Sequence, residues 1–287
     1  MLDILEKRMP TKKIVVFYHA DCTDGFTAAW VAHKKFGNKA DYISCFHENE
    51  PPKIKGRDIY MLDMTFPKPI TERLMKDNKR VTAIDHHISV KSITLSTHKP
   101  LYALNHSGCV LAWKYFFSNK PIPTFLLSIE DVDLWNHKVK GSADLYSYLD
   151  LLDFKFNVWT KVISDFANLI KRKKILEMGK LISLHQEKMR DKKIEDNARL
   201  VKLDGYVVYA INNTGDSSFM GAKLCRMRPP FAIIWRQKKD GRVTVSLRGV
   251  GNIDCSKIAA KYGGGGHKHS AAFRLDSLKD IPWKNVN

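Results

Sequence analysis

The chain is short of cysteine, of long apolar runs and of acids relative to bases, and each shortage narrows what it can be. Its five cysteines, Cys22, Cys45, Cys109, Cys225 and Cys255, are scattered and odd in number, with no CxxC pair. That argues against a disulfide framework and a structural zinc site, and for reduced thiols. No apolar run approaches the roughly 20 residues of a membrane span. The opening "MLDILEKRMP" mixes acids and bases instead of building an apolar leader. The reading is therefore a soluble, cytoplasmic protein with no membrane partner. Internal repeats and low-complexity tracts are absent, which excludes solenoid architectures.

Acids number 30 against 48 lysines and arginines, a formal charge of +18. Such a positive field attracts polyanions, making nucleic acid, nucleotides and polyphosphate natural partners. A lysine-rich surface without any such partner gives the same count. Much of the excess lies in runs such as "KRKK" at 171–174.

What is present suffices for a core: 287 residues, 44% hydrophobic, are enough for two domains. In the first half short apolar segments, "KIVVFYH", "DYISCF", "DIYMLDM" and "RVTAID", alternate with helical patterns such as "GFTAAWVAHKKFG" and "ITERLMKDN". Apolar residues on successive positions suit strands buried on both faces, so an α/β fold with a parallel sheet and helices on both faces is expected over 1–158. "SGCVLAWKYFF" and "PTFLLSIEDVDLW" read as further helices. Helical spacing among many charges, with little glycine or proline, marks 159–200 as a helical linker. Strand patterns "YVVYAIN", "PFAIIWRQ", "RVTVSLRG" and "HSAAFRL", interleaved with helical ones, define a smaller C-terminal α/β domain over 201–287.

Ligands of open parallel sheets bind where strands end at their carboxyl edge. Polar groups cluster at these edges: His19, Asp21 and Asp24 in "HADCTDG", Asp63 after "IYML", and Asp85, His86 and His87 after "VTAI". A fourth set, Glu130-Asp131-Val132-Asp133, ends a helical pattern. Each set alone reads as a turn or cap. Together they converge too many carboxylates for all to stay ionised without countercharge, which divalent metal supplies. A mixed histidine and carboxylate shell favours Mn²⁺, with Mg²⁺, Co²⁺ or Zn²⁺ as alternatives, and the ligand count suits two ions. Phosphoester hydrolysis is the chemistry this predicts.

"HADCTDG", "DMTF", "AIDHHIS", "SGCVLAW" and "EDVDLW" resemble the ordered motifs of DHH phosphoesterases, and "GGGGHKHSAAF" resembles the glycine-rich motif of their DHHA1 domain. The resemblance spans nearly the whole chain and is weakest in the charged helices. It implies that His19, Asp21, Asp63, His86 and Asp131 are metal ligands, with Asp63 bridging two ions and Asp24 completing the first motif. In the commoner form of that motif one residue separates the two acids, whereas two separate Asp21 from Asp24, so which of them meets which ion stays open. Asp133 rivals Asp131 in the fourth motif. The resemblance further implies that Asp85 orients His86 and that His87 faces the phosphate as a proton or hydrogen-bond donor.

Four consecutive glycines permit backbone N–H groups to approach an anion. Gly264, Gly265 and Gly266, with His267 and with Arg248 in "SLRG", therefore read as a substrate-holding element. The bland alternative is a flexible connection. Asn105 and Ser107-Gly108 add donors on the metal side, or Ser107 is a plain helix cap. Trp113, Trp135 and Trp159 read as core, and His33, His47, His98, His137 and His185 as surface or core. The expected protein is a two-metal phosphodiesterase cleaving short or single-stranded oligonucleotides or dinucleotides to mononucleotides. Polyphosphate or pyrophosphate hydrolysis, or an inactive nucleic-acid-binding protein, are the alternatives. Oligomeric state is not legible, a homodimer being one arrangement left open.

Overall fold

The computed structural model describes residues 9–47, 49–213 and 215–286; the start of the segment read as no leader lies outside them. Two compact units divide at Leu184 and His185. The first holds strands β1 (Ile14–His19), β2 (Ala40–Cys45), β3 (Asp58–Leu62), β4 (Arg80–Asp85) and β5 (Leu101–Tyr102). Their helices are α1 (Thr23–Phe36), α2 (Lys68–Asp77), α3 (Lys91–Leu95), α4 (Gly108–Phe116), α5 (Thr124–Asp133), α6 (Ser142–Leu149), α7 (Phe156–Ala167) and α8 (Leu169–Asn197). The strands lie in the order β2-β1-β3-β4-β5, and every pairing is parallel.

Successive strand side chains point to opposite faces, and here both faces are covered. Val16, Tyr60, Leu62 and Ile84 pack in one core with Phe26, Val110 and Leu126 from α1, α4 and α5. Their neighbours Val15, Phe17, Ile59, Met61, Val81 and Ala83 pack in another with Leu74 of α2. That explains why the strands read as unbroken apolar runs. It also sets the site. A sheet in this order reverses its winding between β1 and β3, where α/β folds open a crevice at the strand ends. His19 ends β1, Asp63 follows β3 and Asp85 ends β4.

The stretch expected to be a linker does not stand apart. Trp159 of α7 is fully buried with Val162 and Phe166 in the first core, and its indole N–H donates to Thr27 Oγ1 at 2.9 Å. The division between units falls within α8. No helix is long and apolar enough to cross a membrane among the described residues.

The second unit adds β6 (Arg199–Leu203), β7 (Tyr206–Asn212), β8 (Phe231–Gln237), β9 (Val243–Gly249), β10 (Gly265–His267), β11 (Ser270–Leu275) and β12 (Lys284–Asn285), with α9 (Ser217–Met227) and α10 (Cys255–Ala260). The sheet runs β10-β11-β9-β8-β7-β6-β12. Only β7 and β8 pair in parallel among its described strands; the other pairs are antiparallel. Apolar residues alternate along β9 and β11, where Val243, Val245, Leu247, Ala271 and Phe273 enter one core with Ile258 of α10.

Candidate metal centre

Asp63 is the hub. Its backbone turns off β3 with φ 56°, a left-handed conformation rare for a residue with a side chain, and its N–H bonds Ile84 O at 2.9 Å. The carboxylate is 1% exposed, and its two oxygens face different partners. On one side His19 Nδ1 lies 3.4 Å and Cys22 Sγ 3.6 Å from Oδ2. On the other His86 Nε2 lies 3.1 Å from Oδ1 and 3.6 Å from Asp133 Oδ2. Potential ligand atoms thus fall into overlapping sets, one of His19, Cys22 and Asp63, others of Asp63, His86 and His87 and of Asp24, His86 and Asp133. A cavity of about 170 Å³ opens beside them, lined by His19, His47, Asp63, Asp85 and His87 among others.

Asp24, 1% exposed in the first turn of α1, reaches across to the start of α4. Its Oδ2 accepts from Gly108 N at 2.6 Å and its Oδ1 from Cys109 N at 3.0 Å. Those amides are unpaired donors of a helix N-terminus, which a carboxylate satisfies best. Only glycine fits there: a Cβ at Gly108 would lie 2.5 Å from Asp63 Cβ and 2.8 Å from Asp24 Oδ2. Ser107 stands at the cap position with extended backbone, yet its side chain does not cap the helix; Asp24 does so from another element.

The charges are unbalanced. Burial, with Asp63 and Asp133 beside it, pushes the Asp24 carboxyl well above its ordinary range. Burial likewise raises Asp133, against the pull of His86. Burial opposes ionisation of Asp63 too, but the imidazoles of His19 and His86 beside it outweigh it and hold this carboxyl below its usual value. For His86, burial works against the cation, yet Asp63 wins and lifts the imidazole to about 10; Asp85 does the same for His87, to about 9. Burial, then Asp63 and Asp133, push the Cys22 thiol well up. Without added cation the cluster holds protons to offset its acids. Two buried ligand atoms, His19 Nδ1 and Asp133 Oδ2, have no hydrogen-bond partner. Buried polar atoms left unpaired in this way fit a site built to hold cations.

Most residues expected at the site converge, with three differences. Asp131 is turned away: its carboxylate accepts from Lys138 N at 2.7 Å, Val139 N at 3.1 Å and Ser142 Oγ at 2.6 Å, tying down the loop after α5. Asp133 faces His86 instead. Two residues apart on a helix at about 100° each, the two acids point in nearly opposite directions, so only one can face the site. Asp21 is exposed on a turn with φ 51° and joins none of the ligand sets, where Cys22 stands in its place. Asp85 holds His87 rather than the His86 ring: its Oδ1 lies 2.8 Å from His87 Nδ1 and meets His86 only at the backbone N, at 2.7 Å. Thr65 Oγ1 donates to Asp85 Oδ2 at 2.8 Å.

In the second unit the glycine run is largely structural. The N–H groups of Gly263 and Gly264 close α10 by bonding Ala260 O and Ala259 O, so neither is spare for an anion. A Cβ at Gly264 would lie 2.1 Å from Ala272 O, and one at Gly266, with φ +140°, 2.5 Å from Ser270 O. Gly265 and His267 pair with Ala272 and Ser270 of β11. Arg248 is anchored by its own strand and by α9, donating to Leu247 O and to Ser218 Oγ at 3.1 Å each. Trp113 and Trp159 are core, as read, whereas Trp135 is 41% exposed.

The fold is thus a parallel α/β sheet that gathers acids and imidazoles at its switch point. A profile for the DHHA1 domain matches residues 204–283. The uncharacterized protein R106 of Acanthamoeba polyphaga mimivirus is 26% identical over an alignment covering 95% of this chain and 70% of that protein. Among solved structures, a DHH domain described as a member of the s1p family of ribosomal proteins superposes with TM-score 0.59 at 13% identity, covering 91% of this chain and 82% of that one. The pGpG-specific phosphodiesterase PggH of Vibrio cholerae gives 0.52 at 12% identity, covering 94% and 95%. Residues 204–283 thus carry a DHHA1 domain, and the chain shares its fold with structures that contain a DHH domain.

Proposed function

We propose that this chain is a metal-dependent phosphodiesterase that hydrolyses short or single-stranded oligonucleotides, or dinucleotides, to mononucleotides. The observation that carries the reading is Asp63, whose two oxygens address two separate sets of ligand atoms at the sheet's switch point. His19 and Asp63 would hold one divalent ion, and Asp63, His86, Asp24 and Asp133 a second. Bound ions, Mn²⁺ by the imidazole and carboxylate character of most donors, would supply countercharge to the acids and Lewis acidity to a phosphoryl oxygen.

The chain's own residues do the rest. Asp24 is fixed by the α4 amides, so its free lone pairs are pre-aimed. His87, oriented through Nδ1 by Asp85, is assigned the proton passed to the leaving oxygen. The DHHA1 unit is assigned the holding of substrate, through Arg248 and His267. A family fold shared with a pGpG-specific phosphodiesterase supports a nucleotide phosphodiester as substrate, and the +18 charge supports an anionic one.

The test is turnover of a panel of diribonucleotides, longer single-stranded DNA and RNA, cyclic dinucleotides and polyphosphate, after chelation and after Mn²⁺ is restored. Hydrolysis of the short phosphodiesters, abolished by chelator, is expected, and Asp63→Asn should lose it almost wholly. Turnover of polyphosphate alone would convert the reading to phosphoanhydride hydrolysis. Binding of oligonucleotides without turnover of anything would leave a nucleic-acid-binding protein.

A further inference from the structure

Cys22 has no explanation in the fold. The other four cysteines are buried, while Cys22 is half-buried at the site. Its duty to the helix is to cap α1, where Sγ accepts from Gly25 N at 3.4 Å. Oxygen side chains, from serine, threonine, aspartate or asparagine, are the preferred residues for that duty. The cysteine therefore answers some other demand.

The demand is visible around it. Sγ stands 3.6 Å from Asp63 Oδ2, and ligand atoms of His19, Cys22 and Asp63 lie within 4.8 Å of one another. His19 Nδ1, facing the same carboxylate oxygen, is buried with no hydrogen-bond partner. Gly25 keeps these elements together, since a Cβ there would lie 2.5 Å from His19 O. The acid beside it, Asp21, is exposed and joins none of these ligand sets.

We propose that Cys22 is a metal ligand, its thiolate completing with His19 Nδ1 and Asp63 Oδ2 a position that prefers a thiophilic divalent ion over Mn²⁺ or Mg²⁺. The inference rests on the metal-centre reading above. On binding, the S–H proton leaves to buffer, sulfur bonds the ion, and no electron changes hands. Thiolate selects softer metals such as Zn²⁺ or Co²⁺, whereas the second position, made of imidazole and carboxylates, keeps its taste for Mn²⁺. The centre is thus asymmetric, one position soft and one hard.

The full-length chain, stripped with chelator and loaded with Co²⁺, decides this by absorption. Wild type should show an intense near-ultraviolet sulfur-to-cobalt band. Cys22→Ser should lose that band and keep the weaker visible bands of the remaining cobalt. In competition dialysis against Zn²⁺ and Mn²⁺, Cys22→Asp should bind zinc and manganese in a lower ratio than wild type, and an unchanged ratio would overturn the thiolate's part in selection. Cobalt bound by wild type without the near-ultraviolet band, or a band that survives in Cys22→Ser, overturns the Cys22 assignment while the metal centre stands. Failure of wild type to bind cobalt at all overturns the metal centre itself.

Discussion

Asp131 and Asp133 stand two residues apart in the same motif, and exchanging their fates is a sharp test of the geometry. Asp131→Ala strips the acceptor from two backbone amides, Lys138 N and Val139 N, and from the Ser142 hydroxyl. The hydroxyl can turn elsewhere, and Lys138 is exposed enough for water to replace part of the loss. An unsatisfied donor costs about 1–3 kcal/mol, so the low end applies and the two amides together cost about 2 kcal/mol. At about 2–4 °C per kcal/mol for a unit of this size, the melting temperature should fall by about 4–8 °C. Metal stoichiometry should stay at the wild-type value. Asp133→Ala should do the reverse, because its carboxyl is a buried acid beside other acids: metal-free protein should melt no lower than wild type, while one ion is lost. Thermal denaturation by circular dichroism, paired with elemental analysis of dialysed protein, reads both. Loss of metal from Asp131→Ala at an unchanged melting temperature would refute the assignment.

The raised imidazoles of His86 and His87 set a pH dependence of metal-free stability. Both hold protons more tightly folded than unfolded, so their stabilisation is complete below about 6.5, the ordinary histidine value. It is lost as pH climbs through about 9 and 10; urea midpoints falling across that window are expected, and a flat profile would contradict it. Metal affinity should rise over the same range as those protons are displaced, measured by competition with a chromophoric chelator. Gly108→Ala should abolish metal binding in whatever protein folds, since its methyl would sit against Asp63 and Asp24; retained stoichiometry would show that the turn can shift. Arg248→Ala and His267→Ala should raise KM for dinucleotides about ten- to a hundred-fold, as losing a charge-assisted contact of about 1.5–3 kcal/mol would, with kcat little changed. Normal KM values in both would remove the DHHA1 unit from substrate binding.

The first sheet was legible because strands buried on both faces leave unbroken apolar runs, and the acids at their ends mark its carboxyl edge. The short strands β5, β10 and β12 were not, having two or three residues each and no period to read. Asp63, His86, His19 and Asp24 were legible by position. Asp131 and Asp133 could not be separated, since the choice depends on where α5 faces and on a loop that folds back to one of them. Cys22 escaped because a search for carboxylates passes over sulfur. The exchange of His86 for His87 as the partner of Asp85 turns on a side-chain rotation that adjacency alone does not encode.

Asp24 would serve the proposed chemistry with the same two oxygens that cap α4. A variant lacking it would leave the first amides of α4 unpaired in a buried place, at about 1–3 kcal/mol for each, as well as losing its place beside His86 and Asp133. Homologues without the proposed activity could therefore shed Asp133 cheaply, but would keep Asp24 to remain folded. An intact acid at this position in a diverged homologue is therefore evidence of a kept fold, and the less costly Asp133 is the position that reports on the proposed chemistry.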